Sequence, residues 1–168
     1  MRYFAYGSNM SFARLIRRVP SAVRVGACTL HQHDLRFHKA GTDGSGKCDA
    51  FQTDDSSHFI VGSLYEIDPV EKQSLDLVEG LGVGYAEKRV CLATESGEMV
   101  EALTYYATMI DKSLKPYSWY LHHVLIGAGE SGCPPDYVAR IRATNAIEDG
   151  HRERDARERA IYANMRKL

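Results

Sequence analysis

Tyr3-Phe4-Ala5-Tyr6-Gly7-Ser8-Asn9 is the stretch on which the reading of this chain turns. Its aromatic and small apolar residues form a strand over 2–6, and the run stops in a Gly-Ser-Asn turn. Gly7 opens backbone conformations that side chains close, and its bare Cα lets a ligand come up to the main chain. Ser8 and Asn9 are of the type that caps a helix, here a short one over 11–18 with Phe12, Leu15 and Ile16 as its apolar spacing. A strand that ends in small residues at a helix start turns several N–H groups toward one point, which suits a small anionic group such as a carboxylate. A plain strand-to-helix turn has the same spacing.

Outward from this turn the chain reads as strands followed by helices. Strands are expected at 22–31, 34–38, 50–53 and 59–67, with loop chemistry over 40–47 and a turn at 54–57. Asp68-Pro69-Val70-Glu71 begins a helix with Asp68 as cap, Pro69 in the first turn and Glu71 completing a capping box. Leu75, Leu77 and Val78 supply its apolar face, and Gly80 ends it. Two strands follow at 85–94 and 99–108, then helices over 116–128 and from Pro134-Pro135 to 144. Strands first and helices last is an α+β order, not a repeated βαβ one. At 168 residues this is one domain, with 1–147 as its body and 148–168 as a charged helical tail.

Three blocks carry a resemblance. Tyr3-Phe4-Ala5-Tyr6-Gly7-Ser8-Asn9-Met10 resembles the opening signature of the γ-glutamylcyclotransferase (AIG2-like) family, the "YGSN" proteins. Leu75-Asp76-Leu77-Val78-Glu79-Gly80, followed by glycines and Tyr85, is similar to a second family block. A third runs from Tyr117 through Tyr120, Ile126-Gly127-Ala128, Gly132 and Pro134 to Tyr137. The blocks come in the family's order and cover most of residues 1–144. The resemblance implies the family's fold, a small, partly closed mixed β-barrel surrounded by helices.

Glu79 is the chemical candidate. It stands at the end of the helix predicted over 69–78, where the helix dipole disfavours a second negative charge. Burial acts the same way, and both raise a carboxyl group's proton affinity toward the range useful for general acid/base work. A solvated glutamate in a helix-ending turn would fit the spacing equally. The resemblance aligns Glu79 with the family's catalytic glutamate and implies cyclisation of a γ-glutamyl compound to 5-oxoproline with release of the amine. It further implies Tyr3, Phe4, Ala5, Tyr6, Gly7, Ser8, Asn9, Tyr85 and Tyr120 as substrate-binding residues, and no cofactor. The alternatives are a non-catalytic small-molecule binding protein that keeps the pocket, and an interaction module working through the charged C-terminal helix.

Other features point elsewhere or nowhere. The net charge of −1 creates no field for nucleic acid or an anionic membrane. No apolar run reaches the roughly 18 residues of a spanning helix. No basic leader with an apolar centre is visible, so a cytoplasmic location is expected. Cys28, Cys48, Cys91 and Cys133 lack close pairing and read as reduced thiols, with no metal site. Gly41-Thr42-Asp43-Gly44-Ser45-Gly46-Lys47-Cys48 nearly spells a phosphate loop, but Cys48 stands where Ser or Thr is needed and no helix follows. Gly127-Ala128-Gly129-Glu130-Ser131-Gly132 fits a dinucleotide pattern but follows a helix, not a strand. His31 and His33 could share one strand face near His38, without the further ligands of a metal site. The alternating charges of 152–159 read as a solvated helix face. Ile161, Tyr162 and Met165 form a thin stripe, a candidate homodimer contact.

Overall fold

The strands β1 (Arg2–Ala5), β2 (Val23–His31), β5 (Phe59–Glu66), β6 (Tyr85–Thr94) and β7 (Met99–Ala107) close a barrel in the order β1-β5-β2-β6-β7. They are seen in a computed structural model that describes residues 1–163. β5 is the longest apolar run and is buried from Ile60 to Tyr65, because it pairs antiparallel on both edges, with β1 and with β2. Gly62 lets β5 lie close to its neighbour: a Cβ there would come 2.4 Å from the Ala5 carbonyl oxygen. A parallel bridge between Tyr3 and Leu103 joins β1 to β7 and completes the closure. The barrel is therefore fully closed, not partly open as expected, and closure removes the exposed edges that an open sheet presents.

β3 (His33–Ala40) and β4 (Gly46–Gln52) form a separate two-stranded sheet. The brief strand expected at 50–53 is thus longer, and only residues 41–45 loop between the two strands. His31 and His33 do not share a strand face: Gln32, at φ 58°, turns the chain between β2 and β3.

The helices are α1 (Phe12–Leu15), α2 (Lys72–Glu79), α3 (Ser118–Glu130), α4 (Pro135–Arg142) and α5 (Arg152–Arg159). α1 is shorter than the 11–18 expected. Ser8 and Asn9 do not cap it but sit in a 3-10 turn, Ser8–Met10, and Ser11 takes the cap position. Asp68 caps as expected, accepting from the Val70 N–H at 3.0 Å. Glu71 does not close a capping box; it reaches Ser21 instead, accepting from its N–H at 3.0 Å and its hydroxyl at 2.5 Å. On α2 only Leu75 is buried, while Leu77 is 78% exposed and Val78 43%. α3 is buried along most of its length and lies against the 3-10 turn, where Gly127 meets Met10 and Ser11.

α5 is not simply a solvated face. Glu158 turns inward and accepts from Arg14 Nη1 at 2.5 Å, with His123 Nε2 3.1 Å away, while His123 Nδ1 lies 2.6 Å from the Tyr162 hydroxyl. Tyr162 is buried there and not displayed as an outward stripe; Met165 lies outside the described residues. Burial lowers the His123 pKa to about 4, from an ordinary 6.5. The hydrogen bond from His123, helped by Arg14, lowers Glu158 to about 2, from 4.5. Both values are depressed on folding, so both groups contribute stability that is complete above their unfolded values and is lost on acidification. The melting temperature is expected to fall as pH drops from 6.5 toward 4 through His123, and further from 4.5 toward 2 through Glu158. Thermal melts across this range check it: Glu158→Gln should flatten the lower part, and a flat profile between 6.5 and 4 would contradict the His123 assignment.

Candidate active site

At one end of the barrel, where β1 runs into its glycine turn, α2 delivers its last residue to the same place. Tyr3, Tyr6, Gly7, Ser8, Asn9, Glu79, Tyr85 and Tyr120 line one narrow hollow together with Cys48 and Tyr105. The hollow has a volume of about 30 Å³ and shares Ser8, Glu79, Tyr85 and Tyr120 with an adjoining cleft of about 260 Å³. Glu79 arrives there because α2 stops on Gly80, which takes the left-handed conformation (φ 71°) that ends a helix at small cost for glycine.

Glu79 is half-buried as a residue, and its carboxylate accepts from Asn9 Nδ2. Asn9 is itself fixed. Its Nδ2 also approaches the Tyr3 hydroxyl at 3.3 Å, and its Oδ1 accepts from Arg18 Nη1 at 2.8 Å. The side chain expected to cap a helix thus orients the carboxylate. Burial raises the Glu79 pKa, and Arg18, Arg14, Lys39 and the Tyr3 hydroxyl act against that rise. The net shift is upward, so the group holds a proton more readily than a solvated glutamate while retaining cations that favour its ionised form.

The loop brings the amides. Among the described residues, the main-chain N–H groups of Gly7, Ser8 and Asn9 donate to no protein acceptor, as befits the first turn of a helix. Gly7 is needed for room and not for a left-handed backbone: its φ is −112°, and a Cβ would meet the Cys48 Cβ at 3.0 Å and the Tyr120 hydroxyl at 3.4 Å.

The tyrosines divide by what their hydroxyls already do. Tyr6 donates to the Tyr105 carbonyl at 2.6 Å and Tyr85 to the Cys48 carbonyl at 2.5 Å. Tyr120 accepts from the Cys48 N–H at 3.0 Å, which leaves its own proton available to a ligand. Tyr105 is anchored from outside the hollow, donating to Asp76 at 2.6 Å. Burial raises the Cys48 thiol to about 12, so it stays protonated and is no nucleophile.

Two of the expected binding residues are elsewhere. Phe4 and Ala5 are fully buried in the barrel core, Phe4 against Gly62, and neither lines the hollow. Strand alternation explains Phe4: successive side chains face opposite sides, so Tyr3 and Phe4 cannot both face one cavity. Cys48 and Tyr105 of the hollow were not among the expected site residues, and neither were Arg18 and Lys39 of the adjoining cleft. Tyr105 could have been read from the alternation of β7; Cys48, Arg18 and Lys39 carry no local signal. Among the described residues no helix is long and apolar enough to cross a membrane.

Known proteins show the same arrangement of chain. A family model described as the AIG2-like family matches residues 59–141, a span that holds Glu79, Tyr85 and Tyr120 but not the opening turn. γ-Glutamylcyclotransferase of Bos taurus is 29% identical over 152 residues, covering 87% of this chain and 78% of the relative. That of Homo sapiens is 29% identical over 147 residues, covering 84% and 77%. A solved structure of a γ-glutamyl cyclotransferase superposes with a TM-score of 0.82 at 26% identity, over 89% of this chain and 90% of that one. By likeness of sequence along most of its length and by its barrel, the chain is similar to the γ-glutamylcyclotransferases and, over residues 59–141, to the AIG2-like family.

Proposed function

We propose that this chain converts a γ-glutamyl compound to 5-oxoproline and a free amine, with Glu79 as the proton carrier. The observation that carries the reading is the meeting of one carboxylate of raised proton affinity with unpartnered loop amides in one narrow hollow. The substrate contains both reacting groups, and its α-amino nitrogen attacks its own γ-carbonyl carbon. Closing a five-membered ring needs chiefly that the chain be held folded, and such intramolecular attack has effective molarities of about 10⁵ M and above. The new N–C bond forms, the carbonyl oxygen takes negative charge, and the bond to the departing amine breaks as that charge returns.

Two protons must leave the α-ammonium and two must reach the departing amine if it leaves as an ammonium. Glu79 accepts from the one and returns to the other, a task for which a raised pKa is suited. The amides of Gly7, Ser8 and Asn9 supply donors for the α-carboxylate or for the oxyanion, and the Tyr120 hydroxyl supplies one more. No step as written uses a metal or redox group.

The test is chemical. Incubation with γ-glutamyl-alanine, with lysine γ-glutamylated on its side chain and with simple γ-glutamyl amides is expected to release 5-oxoproline from at least one, seen by chromatography. Binding of these compounds without any release would instead match a pocket without turnover.

A further inference from the structure

The cleft beside the hollow carries four cations, Arg14, Arg18, Lys39 and Lys47, against Asp43 and Glu79. Three of the cations are committed. Arg14 donates to Glu158 at 2.5 Å, Lys47 to Asp43 at 2.7 Å and Arg18 to the Asn9 side chain at 2.8 Å. Lys39 is not. It is only 7% exposed, yet among the described residues its ammonium has no carboxylate within ion-pair distance and no hydrogen-bond acceptor. Its neighbour is the face of Tyr85, whose ring centroid is 4.7 Å away.

The backbone makes room for this placement. Gly84 has φ +152°, and a Cβ there would lie 2.9 Å from Lys39 Nζ and 2.8 Å from its Cε. Glycine at 84 therefore admits the lysine tip to the cleft wall beside Tyr85. The stem of Lys39 is buried while its ammonium reaches the open cleft, and a cation there with no paired carboxylate attracts an arriving anion.

Charge accounting narrows what arrives. Glu158 neutralises Arg14 and Asp43 neutralises Lys47, so Arg18 and Lys39 face the single carboxylate of Glu79. That leaves one positive charge in excess. The α-carboxylate and α-ammonium of a γ-glutamyl group cancel each other, so the excess is balanced only if the departing amine bears an anion. We infer that Lys39 selects the leaving group, its ammonium engaging an anionic group carried by the departing amine. The inference rests on the cyclisation proposed above.

γ-Glutamyl-alanine and γ-glutamyl-ethylamide differ by that carboxylate alone and form the test pair. For the wild-type chain kcat/KM is expected to favour the former by about 10- to 100-fold, the range of a charge-assisted hydrogen bond. In Lys39→Met the ratio is expected to fall to within about threefold of unity, and in Lys39→Arg to persist. Each ratio is taken on one preparation, so a reduced folded fraction cancels; Lys39→Gln serves if the methionine variant does not fold. A wild-type ratio near unity, or a high ratio that survives loss of the lysine charge, overturns the role of Lys39 while leaving the cyclisation standing. Absence of 5-oxoproline from both substrates with the wild-type chain overturns this inference, and absence from the whole panel named above overturns the cyclisation as well.

Discussion

Glu79→Gln is expected to lower kcat by about 10² to 10⁴-fold, the usual contribution of a positioned acid/base group. Glutamine keeps the oxygen that accepts from Asn9, so the hydrogen bond survives and only proton transfer is lost. The fold is expected to gain. Burial raises the Glu79 pKa above its ordinary 4.5, so the folded state holds this proton more tightly than the unfolded chain does. The stability linked to the group is therefore greatest below 4.5 and declines as pH rises through the raised folded value. The variant escapes that decline, and its melting temperature should exceed the wild type's by more at high pH than at low. In the wild type, kcat/KM should rise with pH through the same raised value, because the ionised carboxylate starts the reaction. Normal turnover by the glutamine variant would remove Glu79 from the mechanism.

Gly127→Ala is expected to destabilise the protein by about 3 kcal/mol, at the upper end of the cost of overpacking. A Cβ at 127 would lie 2.4 Å from the Met10 Cβ, 2.5 Å from the Ser11 nitrogen and 2.7 Å from the Met10 carbonyl carbon. Two of these are backbone atoms, which cannot rotate aside. The loss corresponds to roughly 6–12 °C in melting temperature for a chain of this size. Because Met10 follows Asn9 directly, the displacement should also disturb the Gly7–Ser8–Asn9 amides and reduce kcat/KM. Gly129, two residues on in the same helix, has nothing within 4 Å of its own added Cβ. Gly129→Ala should therefore have the opposite sign, stabilising by about 1 kcal/mol through helix propensity. Equal effects at the two positions, read by urea unfolding, would show that close approach of α3 to the turn is not what 127 requires.

What could be read in advance was what local pattern controls. The β1 run, the continuous apolar strand β5, the cap at Asp68 and the helix end at Gly80 each depend on neighbours in sequence, and each stands close to where spacing put it. The resemblance then brought Glu79 and the opening turn together in the expectations, 70 residues apart, and the structure places both on one hollow. Features that depend on distant partners were misread or unseen. Glu71 has the spacing of a capping box, but Ser21, 50 residues away, offers it a better-placed donor pair. The 40–47 segment is loop in composition, yet Gly46 and Lys47 are drawn into β4 by pairing with Ala40 and Lys39. Glu158 belongs to a run of mixed charge and turns inward because Arg14 is buried beneath it. No local window contains those partners.

A crystal structure of the protein with 5-oxoproline bound tests the central claim most directly. The ligand is expected in the hollow between the turn and α2, with one oxygen on the Gly7–Ser8–Asn9 amides. Its ring nitrogen should lie about 2.6–3.2 Å from the Glu79 carboxylate, the reach of direct proton transfer. A ligand seated elsewhere, or one seated there with Glu79 turned away into solvent, would contradict it.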